Sequence, residues 1–361
     1  MPERASDGLA AVGGRADGLR GRWLDLRDRL LSSRHFQRWA GRFPLSRPIA
    51  RRRSRELFDL TAGFVYSQVL FACVELDLFE RLRAGPRSTV DLAEATRLPL
   101  AGADRLLRAA ASLRLLQRRG PDLYGLGILG AAVLGNPGIG AMIDHHSRLY
   151  ADLRHPVALL RGRRDTALAG YWPYAAAERP ADLAEAQVGD YSALMAVSQS
   201  FIADEVLDAY SLKRHRRLLD LAGGEGVFAL AAAERWPHLT ATVFDLPAVV
   251  ERAKPRFARS GLAQRLHAVG GDLFHAQLPE GADLVSLVRV LHDHDQAAAR
   301  RILRAARRAL AGGGTLIVAE PMSETPGAEP VGDAYFGFYL MAMANRAVVP
   351  VAAGYLPEGA A

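Results

Sequence analysis

Short apolar runs, separated by segments of helical length, fill the second half of the chain. The runs have four or five residues each and lie at 217–221, 240–244, 266–269, 284–288 and 315–319. Buried strands that alternate with helices are typical of βαβ units, in which the strands run parallel. The pattern therefore predicts an α/β fold with a doubly wound, Rossmann-like sheet over residues 214–361.

The first half of the chain has the period of helices instead. Apolar residues recur every three to four positions over 57–83 and 103–116, and Ser88 can cap a short helix between these segments. Residues 118–126 then predict a turn with a short extended piece. Helices followed by a small β element predict a winged-helix-like domain, which we place at 54–138.

A winged-helix-like domain has two uses that the sequence leaves open. It can bind DNA through its third helix, near which Arg105, Arg108 and Arg114 lie, or it can hold two copies of the chain together. We favour dimerisation, so we expect a homodimer and no nucleic acid partner. Residues 139–213 predict a helical linker that lines the substrate site.

The positive charge is concentrated in an N-terminal arm at 1–53. The whole chain carries a net charge of +7, whereas the arm alone holds thirteen arginines and five acids, a net +8. Residues 1–18 predict a disordered start. Apolar residues at helical spacing follow, opposite the arginines: Leu19, Trp23, Leu26, Leu30, then Phe36, Trp39 and Phe43. Such basic amphipathic helices, at 19–53, either rest on a membrane surface or pack on a domain of this chain or a partner.

The cysteine content and the apolar runs indicate the cellular compartment of the protein. Cys73 is the only cysteine, which excludes an intramolecular disulfide and a cysteine-based zinc site and fits a reducing cytoplasm. No apolar run reaches the roughly 18 residues that span a bilayer, and there is no secretory signal. We expect a cytoplasmic protein without a metal, with peripheral membrane contact left open by the arm.

A glycine-rich turn, Asp220-Leu-Ala-Gly-Gly-Glu-Gly226, follows the first predicted strand. Glycines permit both a tight turn and the close approach of a ligand. Nineteen residues beyond Gly226 the next strand ends at Asp245, whose carboxylate can accept ribose hydroxyls. Because Gly224, Gly226 and Ala229 also satisfy the dinucleotide pattern, these residues alone do not exclude NAD.

The ends of the next two strands narrow the range of possible ligands. Asp272 can accept an adenine amino group, and Leu273 and Phe274 offer apolar contact to the ring. The fourth strand is followed by Arg289-Val-Leu-His-Asp-His294. Since doubly wound folds bind ligands at the carboxyl edge of the sheet, we expect these groups to share one nucleotide site.

These segments resemble the O-methyltransferase family that includes plant caffeate and chalcone enzymes, hydroxyindole methyltransferases and bacterial tailoring enzymes. The matching residues are Asp220–Gly226, Phe244-Asp-Leu-Pro247, Gly271-Asp272, Arg289 with His292-Asp293, and Val318-Ala-Glu320. The resemblance covers roughly residues 54–340. It implies S-adenosylmethionine as the cofactor and a dimerisation domain before the cofactor fold.

The resemblance also implies a role for each matching residue. The cofactor would be bound by residues of the strand-end loops: Gly223, Gly224, Gly226, Asp245, Leu246, Gly271, Asp272, Leu273 and Arg289. His292 would be the general base, oriented by Glu320. Ala222 departs from the three-glycine form of the loop.

A histidine suits the base, because its ordinary pKa of about 6.5 lets it take a hydroxyl proton near neutral pH. His292 could instead be a surface histidine at the start of a polar helix, since His294 and Asp295 lie close by. Its spacing of three residues after Arg289 favours the base. The adjacent pair at positions 145 and 146 predicts structural or substrate-lining histidines.

The N-terminal half resembles, more narrowly, the carotenoid O-methyltransferases of purple bacteria that act on hydroxyneurosporene and demethylspheroidene. The similar segments are Phe36-Gln-Arg-Trp-Ala, Arg42-Phe-Pro-Leu-Ser-Arg-Pro, Leu57-Phe-Asp-Leu-Thr-Ala-Gly-Phe-Val-Tyr and Leu149-Tyr-Ala-Asp-Leu. This implies methylation of the tertiary 1-hydroxyl of an acyclic carotenoid, a hydrophobic small-molecule acceptor. The arm would then rest on the inner or photosynthetic membrane that dissolves this acceptor.

Other functions remain open. The enzyme could methylate a polyketide or phenolic hydroxyl, or a tetrapyrrole carbon as related bacteriochlorophyll methyltransferases do. The chain could also be a winged-helix DNA-binding regulator with a vestigial cofactor fold. The intact Asp245, Asp272 and His292 argue against the regulator.

The C-terminal tail departs from the family. After a helix near 335–343, family members continue with a helix and an antiparallel hairpin that closes the sheet. Residues 345–361 have neither the length nor the pattern for these elements. We therefore expect a truncation or a frameshift, which would leave a sheet edge exposed.

Overall fold

The computed structural model describes residues 19–172 and 180–343. The chain forms two compact units, the first ending at Val69 and the second beginning at Leu70. The predictions for residues 1–18, and for the tail at 345–361 with its truncation, lie outside the described residues. The domain boundaries drawn from the sequence stay predictions.

In the first half of the chain the structure is mainly helical. The elements are α1 Leu19–Ser32, α2 Arg34–Arg42, α3 Arg47–Glu75, α4 Leu78–Arg81, β1 Arg87–Ser88, α5 Thr89–Thr96, α6 Leu100–Ser112, β2 Leu116–Gly120, β3 Leu123–Leu126, α7 Ile128–Gly135, α8 Pro137–Leu153, α9 Pro156–Leu160 and α10 Ala167–Tyr171. Strands β1, β3 and β2 form a small antiparallel sheet. The predicted cap at Ser88 is confirmed, because its hydroxyl accepts the Asp91 N–H at 3.1 Å while the Asp91 carboxylate accepts the Ser88 N–H at 3.2 Å.

The two predicted helices of the arm are confirmed as α1 and α2. Their apolar side chains are exposed, Trp23 by 61% and Trp39 by 53%. The Trp39 ring lies 5.7 Å from Phe36 and 5.0 Å from Phe43, centroid to centroid, so three aromatic rings form one row.

Helix α3 corrects two predictions. It ends at Glu75 instead of continuing to residue 83, because Asp77 adopts a left-handed backbone with φ of 53° that an α-helix does not accommodate. By length and composition α3 is also apolar enough to cross a membrane, against the prediction that the chain holds no such segment. The charged Asp59 and the polar residues Thr61, Ser67 and Gln68 interrupt its apolar run.

The second half carries the main sheet. Its elements are α11 Glu185–Ala209, β4 Arg217–Leu221, α12 Val227–Arg235, β5 Thr240–Asp245, α13 Pro247–Ser260, β6 Leu266–Gly270, β7 Ala282–Val288, α14 Gln296–Ala309, β8 Leu310–Ala319 and α15 Gly337–Ala342. A wide π-helical turn at Pro330–Phe336 precedes α15. The described strands pair in the order β6-β5-β4-β7-β8, all parallel, which confirms the doubly wound sheet.

Successive residues of β4 explain why its sequence is continuously apolar. Leu218 packs with Phe228 of α12 and Phe257 of α13 on one face of the sheet, and Leu219 packs with Ile302 of α14 on the other. Both faces are therefore buried, as parallel sheets require. Along the sheet the strand order reverses at β4, so the loops after β4 and β7 leave in opposite directions and open a crevice at the carboxyl edge.

Replacing Phe228, which is 1% exposed, tests this packing. We expect Phe228→Ala to lower the free energy of unfolding by about 3–5 kcal/mol, because the lost ring leaves a cavity between α12 and the sheet. Urea unfolding measures the change. The control Phe201→Ala on α11 removes a ring that is 49% exposed and should cost less than about 1 kcal/mol. Equal losses in the two variants would contradict the assignment of Phe228 to the core.

Candidate active site

A cavity of about 700 Å³ lies at the carboxyl edge of the sheet. The loops that follow β4, β5, β6 and β7 line one side, and α11 lines the other. All the residues that the sequence nominated for the site line this cavity except Gly226 and Glu320, which lie directly behind it. The structure thus brings together groups that are spread over 98 residues of sequence, from position 223 to 320.

The glycine turn contains three residues with positive φ angles. Gly226 has φ of 73°, and a side chain there would overlap the Phe257 ring of α13. Gly224 has φ of 59° and faces open space, which leaves its backbone accessible to a ligand. Ala222, the departure from the family pattern, also has a positive φ of 50°, a conformation that costs a residue with a Cβ about 1–2 kcal/mol.

Two buried carboxylates lie beneath the turn. Asp245 accepts the N–H groups of Gly224 at 2.8 Å and Leu246 at 2.6 Å, and burial raises its pKa to about 6 against these bonds. Asp220 accepts the Ser286 hydroxyl at 2.6 Å through one oxygen, while its other oxygen has no hydrogen-bond partner in the described part of the chain. Burial raises the pKa of Asp220 to about 7, with the Asp245 charge adding to the effect. This pair favours a ligand that carries positive charge.

The loop after β6 provides a second section of the cavity. A side chain at Gly271 would overlap the Phe244 ring, so a glycine is needed for the loop to close on the sheet. The Asp272 carboxylate accepts the Phe274 N–H at 2.7 Å and lies 3.0 Å from the His275 ring nitrogen. Each of its oxygens retains a lone pair for a ligand amino group. Leu273 and Phe274 add apolar lining.

His292 is held by Glu320. The two oxygens of this fully buried carboxylate accept three hydrogen bonds, from the Val290 N–H at 2.7 Å, the Leu291 N–H at 2.6 Å and His292 Nδ1 at 2.5 Å. Because an ionised carboxylate only accepts, the proton lies on Nδ1 and the basic lone pair lies on Nε2. His292 is itself 8% exposed and lines the cavity, so the alternative of a surface histidine is wrong.

The charges around His292 favour its protonated form. Burial disfavours the imidazolium, but Asp293 and then Glu320 outweigh it, so the pKa of His292 is raised above its ordinary value. Asp293 Oδ1 lies 3.4 Å from Nε2, and burial raises the pKa of Asp293. The imidazole can thus take a proton from a hydroxyl, and the neighbouring Asp293 and Glu320 stabilise the imidazolium that forms.

Arg289 joins the sheet edge to α11. Its backbone has φ of 61°, and its guanidinium donates to Ser198 Oγ at 2.9 Å, to Gln199 Oε1 at 3.4 Å and to Met195 Sδ at 3.1 Å. The sequence nominated Arg289 but not its partners, because α11 carries no motif and lies about 90 residues earlier in the chain.

The aromatic residues of the C-terminal helical turn were also missed. Tyr335 bonds to His146 Nε2 at 2.6 Å, Tyr339 bonds to His145 Nε2 at 3.0 Å, and the Phe336 ring lies edge-on to His292 with centroids 6.2 Å apart. Burial lowers the pKa of His145 to about 4, so it is neutral at pH 7. The histidine pair is therefore part of an aromatic cluster that includes Tyr335 and Tyr339.

Comparison with known proteins identifies the family of the chain. Residues 165–349 match the O-methyltransferase domain, and residues 58–135 match the O-methyltransferase dimerisation domain. The chain belongs to the O-methyltransferase family. It is an S-adenosylmethionine-dependent O-methyltransferase, as the sequence predicted, and the tetrapyrrole and regulator alternatives are not favoured. The dimerisation domain of the family supports a homodimer.

Two similar relatives are demethylspheroidene O-methyltransferases. The protein from Cereibacter sphaeroides is 43% identical over 87% of this chain and 83% of its own length, and the protein from Rhodobacter capsulatus is 40% identical over 84% and 75%. Among solved structures, human N-acetylserotonin methyltransferase in complex with S-adenosylmethionine is 28% identical, with a TM-score of 0.65 over 80% of this chain and 85% of that one.

The Glu320–His292 contact predicts a pH dependence. A general base acts only when neutral, so activity should rise with pH through the raised pKa of His292, above about 6.5. Glu320→Gln removes one of the carboxylates that raise this pKa, and the acidic limb of the kcat profile should move to lower pH while kcat itself falls. Initial rates between pH 5 and 9 measure both changes.

A matched substitution controls this profile. His238 is exposed and lies far from the cavity lining, so His238→Asn should leave the limb and kcat unchanged. An acidic limb that stays in place in Glu320→Gln would mean that His292 is not the group that titrates.

Proposed function

We propose that this enzyme methylates the 1-hydroxyl of an acyclic carotenoid of the demethylspheroidene or hydroxyneurosporene type. The observation that carries the proposal is the identity of 43% and 40% to two demethylspheroidene O-methyltransferases over most of the chain. The aromatic rings of Tyr335, Phe336 and Tyr339 support it, because they give apolar surface to a hydrocarbon acceptor next to His292, which Phe336 contacts.

The residues of the cavity fit the cofactor. S-adenosylmethionine supplies a methyl group on a positively charged sulfur. The glycine turn leaves Gly224 open to it, and Asp220 offers an unpartnered carboxylate oxygen to its positive charge. In this assignment the loop with Gly223, Gly224 and Gly226 holds the amino acid end of the cofactor, Leu246 follows the ribose site, and Arg289 lies beside the cofactor. Asp245 accepts the ribose hydroxyls, and Gly271, Asp272 and Leu273 hold the adenine.

His292 is the general base in this proposal. Its Nε2 would take the proton of the acceptor hydroxyl, and the bound cofactor would supply the electrophilic methyl group that the acceptor oxygen receives. Glu320 holds the ring through Nδ1 and stabilises the imidazolium that forms. Since displacement at carbon needs the two reactants in line, holding them aligned is the larger contribution of the site.

The size of the cavity limits how the acceptor binds. A volume of about 700 Å³ is typical of a pocket for a small ligand. Cofactor and acceptor must meet in this cavity, so each can occupy only part of it. Only the hydroxyl-bearing end of a carotenoid enters, and the polyene lies outside. A binding mode of this kind suits an acceptor that stays partly in a membrane.

A methyl-transfer assay tests the acceptor. Purified enzyme with methyl-labelled cofactor should label demethylspheroidene in detergent micelles at least about tenfold faster than a panel of phenols, and His292→Asn should lower kcat by about 100–10,000-fold. Binding of the cofactor should be unchanged in this variant. Faster labelling of a phenol than of the carotenoid would refute the proposed acceptor while leaving the enzyme class intact.

We further propose that the arm at 19–53 rests on the cytoplasmic face of an anionic membrane, either the inner or the photosynthetic membrane. An exposed aromatic row and a net +8 over residues 1–53 support this placement. Aromatic side chains enter the interface, and each arginine near an anionic surface contributes about 1 kcal/mol.

Vesicle binding tests the arm. The triple variant Trp23→Ala, Trp39→Ala, Phe43→Ala should bind vesicles containing phosphatidylglycerol at least about tenfold more weakly, because the inserted apolar area is lost. A matched triple variant, Val157→Ala, Leu160→Ala, Val331→Ala, removes exposed apolar residues elsewhere and should bind normally. Equal binding of the native enzyme to pure phosphatidylcholine would contradict the anionic surface.

A further inference from the structure

An ion-pair cluster lies behind the glycine turn. Glu225, between the two glycines of positive φ, has a side chain only 8% exposed. One of its oxygens accepts Arg252 Nε at 2.7 Å, and the other accepts Arg256 Nη2 at 3.0 Å. Both arginines belong to α13, so this carboxylate fastens the turn to one helix at two points one turn apart.

Gly226, the next residue of the turn, also contacts α13. Gly226 packs so closely on Phe257 that a side chain would overlap the ring. The turn is thus held by two charged contacts at Glu225 and by one close apolar contact at Gly226. Without the charged contacts, the turn would keep the Gly224–Asp245 bond and the Gly226 contact with Phe257, but lose both charged links to α13.

Glu225 is already engaged by α13 in this arrangement. Each of its oxygens already accepts a guanidinium N–H at hydrogen-bond distance. The two arginines also neutralise a carboxylate that borders the cavity, where its charge would otherwise repel the carboxylate of an amino acid ligand. The cluster therefore acts on the ligand through the turn.

We propose that Glu225 is a positioning residue that, with Arg252 and Arg256, fixes the glycine turn in the conformation that binds the amino acid end of the cofactor. Arg252 extends the cluster to Glu185 at the start of α11, 3.5 Å away. This outer pair is exposed, with Glu185 66% accessible, and contributes little. The buried pairs on Glu225 carry the effect.

Glu225→Gln keeps the shape of the side chain and removes its charge. Calorimetric titration with S-adenosylmethionine, without acceptor, should give a Kd about tenfold higher, which corresponds to about 1.4 kcal/mol. At saturating cofactor kcat should stay within about threefold, because the cluster contacts no reacting atom. Glu225→Asp retains the charge with a shorter reach and should give an intermediate Kd.

Two matched variants separate the inner cluster from general effects of charge. Glu251→Gln removes an exposed acid of α13 that pairs with Lys254, and Glu185→Gln removes the outer pair. Both should leave the cofactor Kd within about twofold. If Glu225→Gln does not fold, Arg252→Lys replaces it, since a lysine keeps the charge but loses the Nε contact.

The measurements distinguish a positioning role of Glu225 from a purely structural one. A lower Tm with an unchanged Kd in Glu225→Gln would overturn the proposal and make the cluster purely structural. A Kd that rises equally in Glu251→Gln would also overturn it. Because cofactor binding is measured without acceptor, the result does not depend on the proposed carotenoid substrate.

Discussion

The reversal of strand order at β4 is the constraint from which the site follows. Because β5 and β7 flank β4 on opposite sides, the chain leaves the carboxyl edge in two directions and no loop covers the gap between them. Asp220 lies at the end of β4, Asp245 at the end of β5 and Arg289 just after β7. Parallel pairing fixes the spacing of these ends, so the position of each group is set by backbone hydrogen bonds and not by its own side chain.

Buried acids then give the crevice its chemical character. Burial disfavours the charged form of a carboxylate, and Asp220 and Asp245 reflect this in their raised pKa values. The oxygens of Glu320 accept from two backbone N–H groups and from the His292 ring. Asp220 and Asp245 can bind a positively charged ligand, whereas Glu320 already binds His292. The same residue type thus serves binding in one place and orientation in another.

How far the sequence predicts this molecule depends on the range of each interaction. The strands, the glycine turn and His292 were predicted, because strand period, positive φ and motif spacing are local properties. The partners of Arg289 on α11 and the Tyr335–His146 pair were not, since they join segments 90 to 189 residues apart that carry no motif. Helix α3 was misplaced at both ends because its start is charged and its end is set by the backbone of Asp77. Glu225 is part of the glycine turn, but no local pattern predicts that Arg252 and Arg256 of α13 contact it.

Two apolar surfaces of the first unit have different chemistry, and this argues for different uses. The arm surface on α1 and α2 is narrow, aromatic and surrounded by arginines, as an interfacial membrane helix requires. The large exposed side chains of α3 at 57–65 are aliphatic and phenylalanine, with Asp59 and Thr61 as the exposed polar residues among them. This stretch falls almost entirely within the match to the dimerisation domain at 58–135, whereas the arm precedes it. An apolar helix face of this kind, long enough to cross a bilayer, is equally what a second copy of the chain would cover, and the family match favours the second copy.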